Sequence, residues 1–272
     1  MIPAFSIAAY AETGVNVAAH TQDEIRNYIN QNGPKYVATS FAKEPDKTDD
    51  GYHMGDQGAL STETMQDGLK MLNAIRYIAG LSADVSLDDD YTNQAQAGAF
   101  INDINQVMDH TPAKPEGMDE DLYSLGYAGT RSSNLSWASF IRPLANITLG
   151  WMSDETGNNL TTLGHRRWQI NPKLKKVGFG QSGYFTAIRV HDTSGTGQET
   201  GVVWPARNMP VDFFSDNLPW SYSLGSTISD ASVQLELIRG GEKKKTWSFH
   251  TKSSEPVNSG FYYNDVRVKT PV

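Results

Sequence analysis

GHRRWQINPKLKKVGFG, residues 164–180, is the densest stretch of the chain. A histidine beside two arginines and a tryptophan, His165 to Trp168, is not how a neutral surface turn is usually built. A short helical turn is expected over Thr162 to Trp168, ending before Asn171-Pro172. The residue before a proline is pushed out of the helical region, so the turn must stop there. Val177 to Gly180 then reads as a strand. The stretch therefore marks a change of hydrophobic period, from helices upstream to strands downstream.

Upstream, Met65, Leu69, Leu72, Ile75 and Ala79 recur at three- and four-residue steps. That spacing predicts a helix from about Ser61, stopped by Gly80. A second helix is expected after Asp88-Asp89-Asp90, whose carboxylates suit a helix N-terminus. Its stripe is Tyr91, Ala95, Phe100, Ile104 and Val107, with His110 just past its end and Pro112 closing it. A third is expected over Ser139 to Trp151, with Pro143 in its first turn. Residues 12 to 60 are polar and weakly periodic, and Lys43 to Gly51 reads as a loop. Asp46, Thr48, Asp50 and Gly51 sit at calcium-loop spacing, but Gln57 stands where a bidentate Glu is needed, so a solvated acidic turn is expected.

Downstream, Phe185 to Val190 and Val202 to Trp204 read as further strands between glycine-rich turns. Val233, Leu235 and Leu237 alternate, Gly240-Gly241 turns, and Trp247 and Phe249 alternate on the return. Phe261 to Val268 is one more candidate strand. Helices followed by a short antiparallel sheet predict an α+β fold. The tail after Pro210–Pro219 is expected to be a small β module, an incomplete sandwich. Three segments follow: 1–60, an N-terminal extension; 61–208, the main domain; and 209–272, the β module.

The 272 residues include no cysteine. That excludes disulfides, cysteine-ligated zinc, iron–sulfur clusters and a cysteine nucleophile. A chain of this length buries enough core to fold without such staples. The formal net charge is −8. An acidic chain repels phosphate backbones, so no nucleic-acid partner is expected. Lys243-Lys244-Lys245 beside the Gly-Gly turn reads as a solvated hairpin flank. No apolar run is long enough to span a bilayer. Met1 to Ala11, an apolar stretch ending Ala9-Tyr10-Ala11, reads as the tail of a secretory signal.

Ser133, Asp154 and His165 could be written as a triad, but no Gly-x-Ser-x-Gly elbow occurs. Gly178-Phe-Gly-Gln-Ser-Gly183 has dinucleotide-fingerprint spacing, yet it leads from one strand to another and reads as a hairpin turn. Two histidines with a carboxylate, His110, His165 and Asp154, form a plausible acid/base or divalent-metal set. A lone histidine is more often a hydrogen-bonded structural residue, and His110 after a helix end fits a favourable dipole contact. Arg166 and Arg167 either pair with Asp154 or Glu155 or line a site for an anion.

Leu72-Asn73-x-x-Arg76, Ser133-Asn134-Leu135, Trp151-Met152-Ser153-Asp154 and the 164–180 stretch together resemble the CAP superfamily, the SCP-like extracellular domain, in its bacterial secreted form. The resemblance covers roughly residues 61–208 and is strongest in its second half. Val203-Trp204-Pro205-Ala206 and Pro219-Trp220-Ser221 are also similar to the continuation found in secreted bacterial members. It implies an α-β-α sandwich with an open cleft and an extracellular or cell-wall-associated protein. It places His110 and His165 in the cleft, as ligands for zinc or another divalent metal. Asp154 takes the second acidic position, with Glu155 as the fallback. The first acid, in a Glu-Asn-Leu element of many members, is Ser133 here. Ser133 cannot serve as the general base that a metal-hydroxide hydrolase needs.

The expected cleft is therefore His110, Ser133, Asn134, Asp154, Glu155, His165 and Arg166. Two functions stay open. One is a non-catalytic module binding a small lipid, glycan or peptide ligand at the cell envelope. The other is a metal-dependent hydrolase of peptide or wall material, with His110, His165 and Asp154 as its catalytic candidates.

Overall fold

The computed structural model describes residues 19–47, 56–155, 159, 162–197, 202–215, 218–223, 230–239, 242–252 and 265–268. The Met1–Ala11 stretch, Thr48, Asp50 and Gly51 of the acidic turn, the Gly240-Gly241 turn and residues 261–264 lie outside them. The described chain is mixed α and β. Among these residues, no helix is long and apolar enough to cross a membrane.

Helix α1 (Gln22–Asn32) opens with a reciprocal capping box between Thr21 and Glu24. Short strands β1 (Phe41–Lys43) and β2 (Ala59–Leu60) pair antiparallel. Helix α2 (Thr62–Ile78) starts where expected, with the Ser61 hydroxyl accepting from the Thr64 amide at 3.2 Å. It ends at Gly80, whose φ of +75° suits a residue without a Cβ. After β3 (Ser86–Leu87), α3 (Asp89–Asn105) is capped by Asp88. It stops two residues before Val107, because Gln106 turns left-handed, and Val107 is left exposed rather than in the helix stripe.

Helix α4 (Glu120–Arg131) leads directly into β4 (Ser133–Trp137). Helix α5 spans Leu144–Gly150, not Ser139–Trp151. Pro143 is extended at its N-cap and disfavours helix at Arg142, so Phe140 and Ile141 stay outside and exposed. Helix α6 (Gly164–Gln169), β5 (Lys176–Ser182), β6 (Phe185–Arg189) and β7 (Val202–Trp204) follow. A 3-10 turn over Val211–Phe213 leads to β8 (Trp220–Ser223), and β9 (Asp230–Arg239), β10 (Glu242–Lys252) and β11 (Asp265–Val268) complete the order.

The main sheet has the order β3-β5-β6-β4. Its two faces are chemically different. Gly178 and Gly180 of β5 lie against the α3 backbone; a Cβ on Gly178 would come within 2.1 Å of the Thr92 nitrogen. Ala187 and Leu135 join Ala95 and Ala99 on that side. Val177, Phe179, Ile188 and Val190 pack on the other side with Leu69 and Leu72 of α2 and Leu144 and Ile147 of α5. Strand alternation sends successive residues to opposite faces, so one is small and the other bulky. The Gly178–Gly183 pattern thus has two causes. Gly183 takes a positive φ in the hairpin, and the other two glycines admit α3.

Glycines also set the α3–α4 crossing. A Cβ on Gly129 would stand 1.9 Å from the Gln94 carbonyl oxygen, and one on Gly126 2.7 Å from that of Ala97. The two family-like markers on α2 are anchors. Asn73 exchanges hydrogen bonds with the Val85 backbone at 3.0 and 3.1 Å. Arg76, fully buried, donates to the carbonyls of Ser82, Gln169 and Asn171. It therefore fixes the exit of α6.

The segments on either side of residues 61–208 enter the same core. Ile25 of α1 is buried with Met71, Ile75, Val202, Trp204 and Phe213. His20, Tyr77 and Tyr28 stack in series at 3.8 and 4.0 Å, holding α1 to α2. Strand β8 pairs with β7, so the 209–272 segment shares a sheet with the chain before it. Strands β9 and β10 pair antiparallel, with Leu235 opposite Trp247 and Val233 opposite Phe249.

Candidate functional site

The site is built around residues 130–134, where α4 passes into β4. The His110 Nδ1 lies 2.8 Å from the Thr130 carbonyl oxygen. A carbonyl only accepts, so His110 carries its proton on Nδ1 and presents Nε2. The Thr130 hydroxyl donates back to the His110 carbonyl at 3.0 Å. The Asn134 amide donates to the His165 carbonyl at 3.0 Å. Cα atoms four residues apart are separated by at most about 14 Å, so this short stretch tethers both histidine segments to one edge of the sheet.

His165 sits on the first turn of α6. Its Nδ1 is 2.8 Å from Oδ1 of Asp154, whose side chain is inaccessible. An ionised carboxylate only accepts, so His165 also donates from Nδ1 and presents Nε2. Oδ2 of Asp154 accepts from the Arg166 amide at 2.9 Å. Asp154 is thus used on both oxygens. It orients an imidazole and caps the start of α6. Its φ of +43° lies in the left-handed region, which Asp adopts more readily than most residues. Leu163, fully buried, has a φ of +50°, a conformation that costs a non-glycine residue about 1–2 kcal/mol. Burial of its side chain offsets that cost.

Arg166 does not stand in the cleft as the sequence suggested. It is fully buried, and its guanidinium donates to the carbonyls of Met152 (2.8 Å), Ser153 (3.3 Å) and Pro219 (2.6 Å) and to the Ser221 hydroxyl (3.1 Å). It ties the loop carrying Asp154 to β8. Arg167 is buried and partnered too.

An open cavity of about 390 Å³ lies over Asp154 and His165. Glu155, Asn159, Ser136 and Ser153 supply polar groups to its lining, with Arg142 among them, while Leu135, Trp137 and Met108 supply apolar surface. Trp137 is 56% exposed and Met108 50%. His110, itself exposed, lies outside this lining, as do Ser133 and Asn134. Ser133 is buried and its hydroxyl has no hydrogen-bond partner among the described residues.

A third histidine, His191, was not expected from the sequence. Its only signal is its position just after the strand Phe185–Val190. The Val190 and His191 amides both donate to the Ser132 carbonyl, which sets the ring beside the same segment. The ring stacks on Trp168 with centroids 3.9 Å apart. Burial, then the neighbouring Arg189 guanidinium and His110, hold its pKa down at about 3. It is therefore neutral wherever the protein is folded at ordinary pH. Arg189 is itself held over the Tyr91 ring at 3.8 Å.

A divalent metal would have to be held by His110 and His165 through Nε2, with their Nδ1 protons fixed as in many metal-ligating histidines. Among the described residues, no three His, Asp or Glu side chains stand together as a metal-holding group. The donors gathered here do not complete a zinc site, which takes at least three protein ligands. The chemistry available without a metal is the Nε2 of a carboxylate-oriented imidazole beside an open, polar cavity. No protein-family model, no curated protein and no solved structure matches the chain.

Proposed function

We propose that the chain is a secreted, envelope-associated module of the bacterial CAP type that binds a small ligand in the His165 cleft without catalysing a reaction. Helix α3 on one face of the main sheet, and α2 and α5 on the other, support a reading of residues 61–208 as an α-β-α sandwich. The observation that carries the binding reading is the state of Asp154. Both its oxygens are engaged, and Ser133 stands in the position of the other acid. A metal-hydroxide hydrolase needs a carboxylate base beside the bound water, and Asp154 is committed to holding His165.

Ligand binding should respond to His165→Ala. A cavity ligand identified by saturation-transfer NMR from a small lipid, glycan and peptide set should lose its affinity in that variant. Unchanged affinity of every ligand in His165→Ala would count against the cleft.

One observation favours a hydrolytic alternative. Glu155 lines the same cavity as His165, and its carboxylate makes no hydrogen bond among the described residues. A metal-dependent peptide or wall hydrolase built on His110, His165 and Asp154 or Glu155 predicts stoichiometric zinc uptake and activity abolished by chelation. Absence of zinc uptake by calorimetry would remove this alternative.

A further inference from the structure

Arg142 lies between the exposed Phe140-Ile141 pair and α5 and lines the cavity. Its backbone carbonyl accepts from the Thr39 hydroxyl at 3.0 Å, which fixes the backbone at this point. Its guanidinium, partly buried, has no hydrogen bond or ion pair among the described residues. The same cavity is lined by two acids, and neither pairs with the guanidinium. Asp154 is consumed by His165 and the Arg166 amide, and Glu155 does not reach it. A partly desolvated arginine without a partner is poised for an anion, and its planar fork matches a carboxylate in two parallel bonds.

The rest of the lining narrows the class of molecule. Trp137 offers a broad exposed ring face at the same cavity. Ser136, Ser153, Asn159 and the unpaired Glu155 supply neutral and anionic hydroxyl partners. A fatty acid would match Arg142 and Trp137 but leave those polar groups facing an alkyl chain, with their water stripped away. Burying polar groups without partners costs free energy. A sugar ring presents an apolar C–H face to an aromatic ring and hydroxyls at its edge, so it can satisfy both kinds of surface. A cavity of about 390 Å³ falls in the size range of small-ligand sites.

We propose that this cavity recognises a saccharide carrying a carboxylate, with the acid on Arg142, a ring face on Trp137 and hydroxyls on Glu155, Ser153 and Asn159. This assignment rests on the cleft-binding reading above and adds the ligand class to it. Arg142 is the determinant of acid against neutral sugar, and Trp137 contributes to both.

The test titrates the whole chain with tri-galacturonate, neutral galactotriose and decanoate, followed by calorimetry and by the Trp137 indole NMR signal. The wild type should prefer tri-galacturonate over galactotriose by roughly tenfold or more, the range of a charge-assisted pair. The preference should shrink at high salt. Arg142→Gln should bring the two sugars level by weakening tri-galacturonate. Arg142→Lys should restore part of the preference, since the charge returns without the fork. Trp137→Ala should weaken both sugars equally. Thermal unfolding of each variant checks that the fold is intact.

An acid-to-neutral ratio unchanged in Arg142→Gln would overturn the assignment. So would decanoate binding more tightly than either sugar. If decanoate binds and His165→Ala abolishes it, the cleft reading stands and only the saccharide class falls. If none of the three probes binds, the acidic-saccharide assignment falls, and a His165→Ala variant that also leaves every other cavity ligand unaffected removes the cleft reading with it.

Discussion

Replacing His191 with phenylalanine isolates one contribution to the pH dependence of stability. The ring is held neutral, with a folded pKa of about 3 against an ordinary 6.5. A depressed histidine pKa means the unfolded chain binds the extra proton. The stabilisation is therefore complete above the unfolded value of 6.5 and is lost as pH falls from there towards 3. At about pH 5 the unfolded ring is almost fully protonated and the folded ring almost fully neutral, a loss of about 2 kcal/mol relative to about pH 7.5. The ring keeps partial solvent access, so about 1–2 kcal/mol is expected.

Phenylalanine keeps the stack on Trp168, 3.9 Å between centroids, and cannot titrate. Urea unfolding of wild type and His191→Phe at the two pH values provides the assay. The variant should lose about 1–2 kcal/mol less on acidification than the wild type does, whatever its own stability at neutral pH. Subtraction removes the other histidines. The carboxylates enter only further down. Asp56, Asp84 and Asp88 are held below the ordinary value first by hydrogen bonds from Lys43, Lys175 and Lys176. Their stabilisation is lost as pH falls below 3.8, outside this window. Equal acid sensitivity in the two proteins would refute a neutral buried His191.

Gly129→Ala removes a helical glycine, a gain of about 1 kcal/mol, but drives a methyl against the Gln94 backbone; a net loss of roughly 2 kcal/mol is expected by thermal unfolding. Gly150→Ala is its control, since nothing lies within 4 Å of the added Cβ, and it should be neutral or slightly stabilising. Phe179→Ala should cost about 3–5 kcal/mol in urea unfolding, because the ring is fully buried between α2, α5 and the sheet. Asp154→Asn keeps a residue tolerant of the left-handed backbone but turns an amide towards His165. The imidazole should switch its proton to Nε2, read from its nitrogen chemical shifts, with about 1.5–3 kcal/mol of stability lost.

Local patterns in the chain carry their own structural information. The apolar steps of Met65 to Ala79, the Asp88 cap and the alternation of Val233 to Leu237 are local signals, and each falls in an element of the structure. The 164–180 stretch likewise announces its helical turn and strand. Helix α4 was not expected from the sequence: Gly126 and Gly129 lower its intrinsic helix propensity, and their role shows only where they lie against the α3 backbone. Helix α1 was not legible either, since Ile25 is its one fully buried side chain.

The site divides in the same way. His165 and Asp154 are eleven residues apart, so the sequence by itself offered the pair, with Glu155 as the fallback acid; the structure sets Asp154 on the imidazole. Whether Arg166 faces the cavity or props up its floor depends on Pro219 and Ser221, more than fifty residues away. His191 and the company of Arg142 with Trp137 depend on sheet pairing and on where Pro143 starts α5. Periodicity and capping are short-range and show in the sequence. Close backbone approach, the direction of a buried guanidinium and the sharing of a cavity are long-range contacts, and only the tertiary structure decides them.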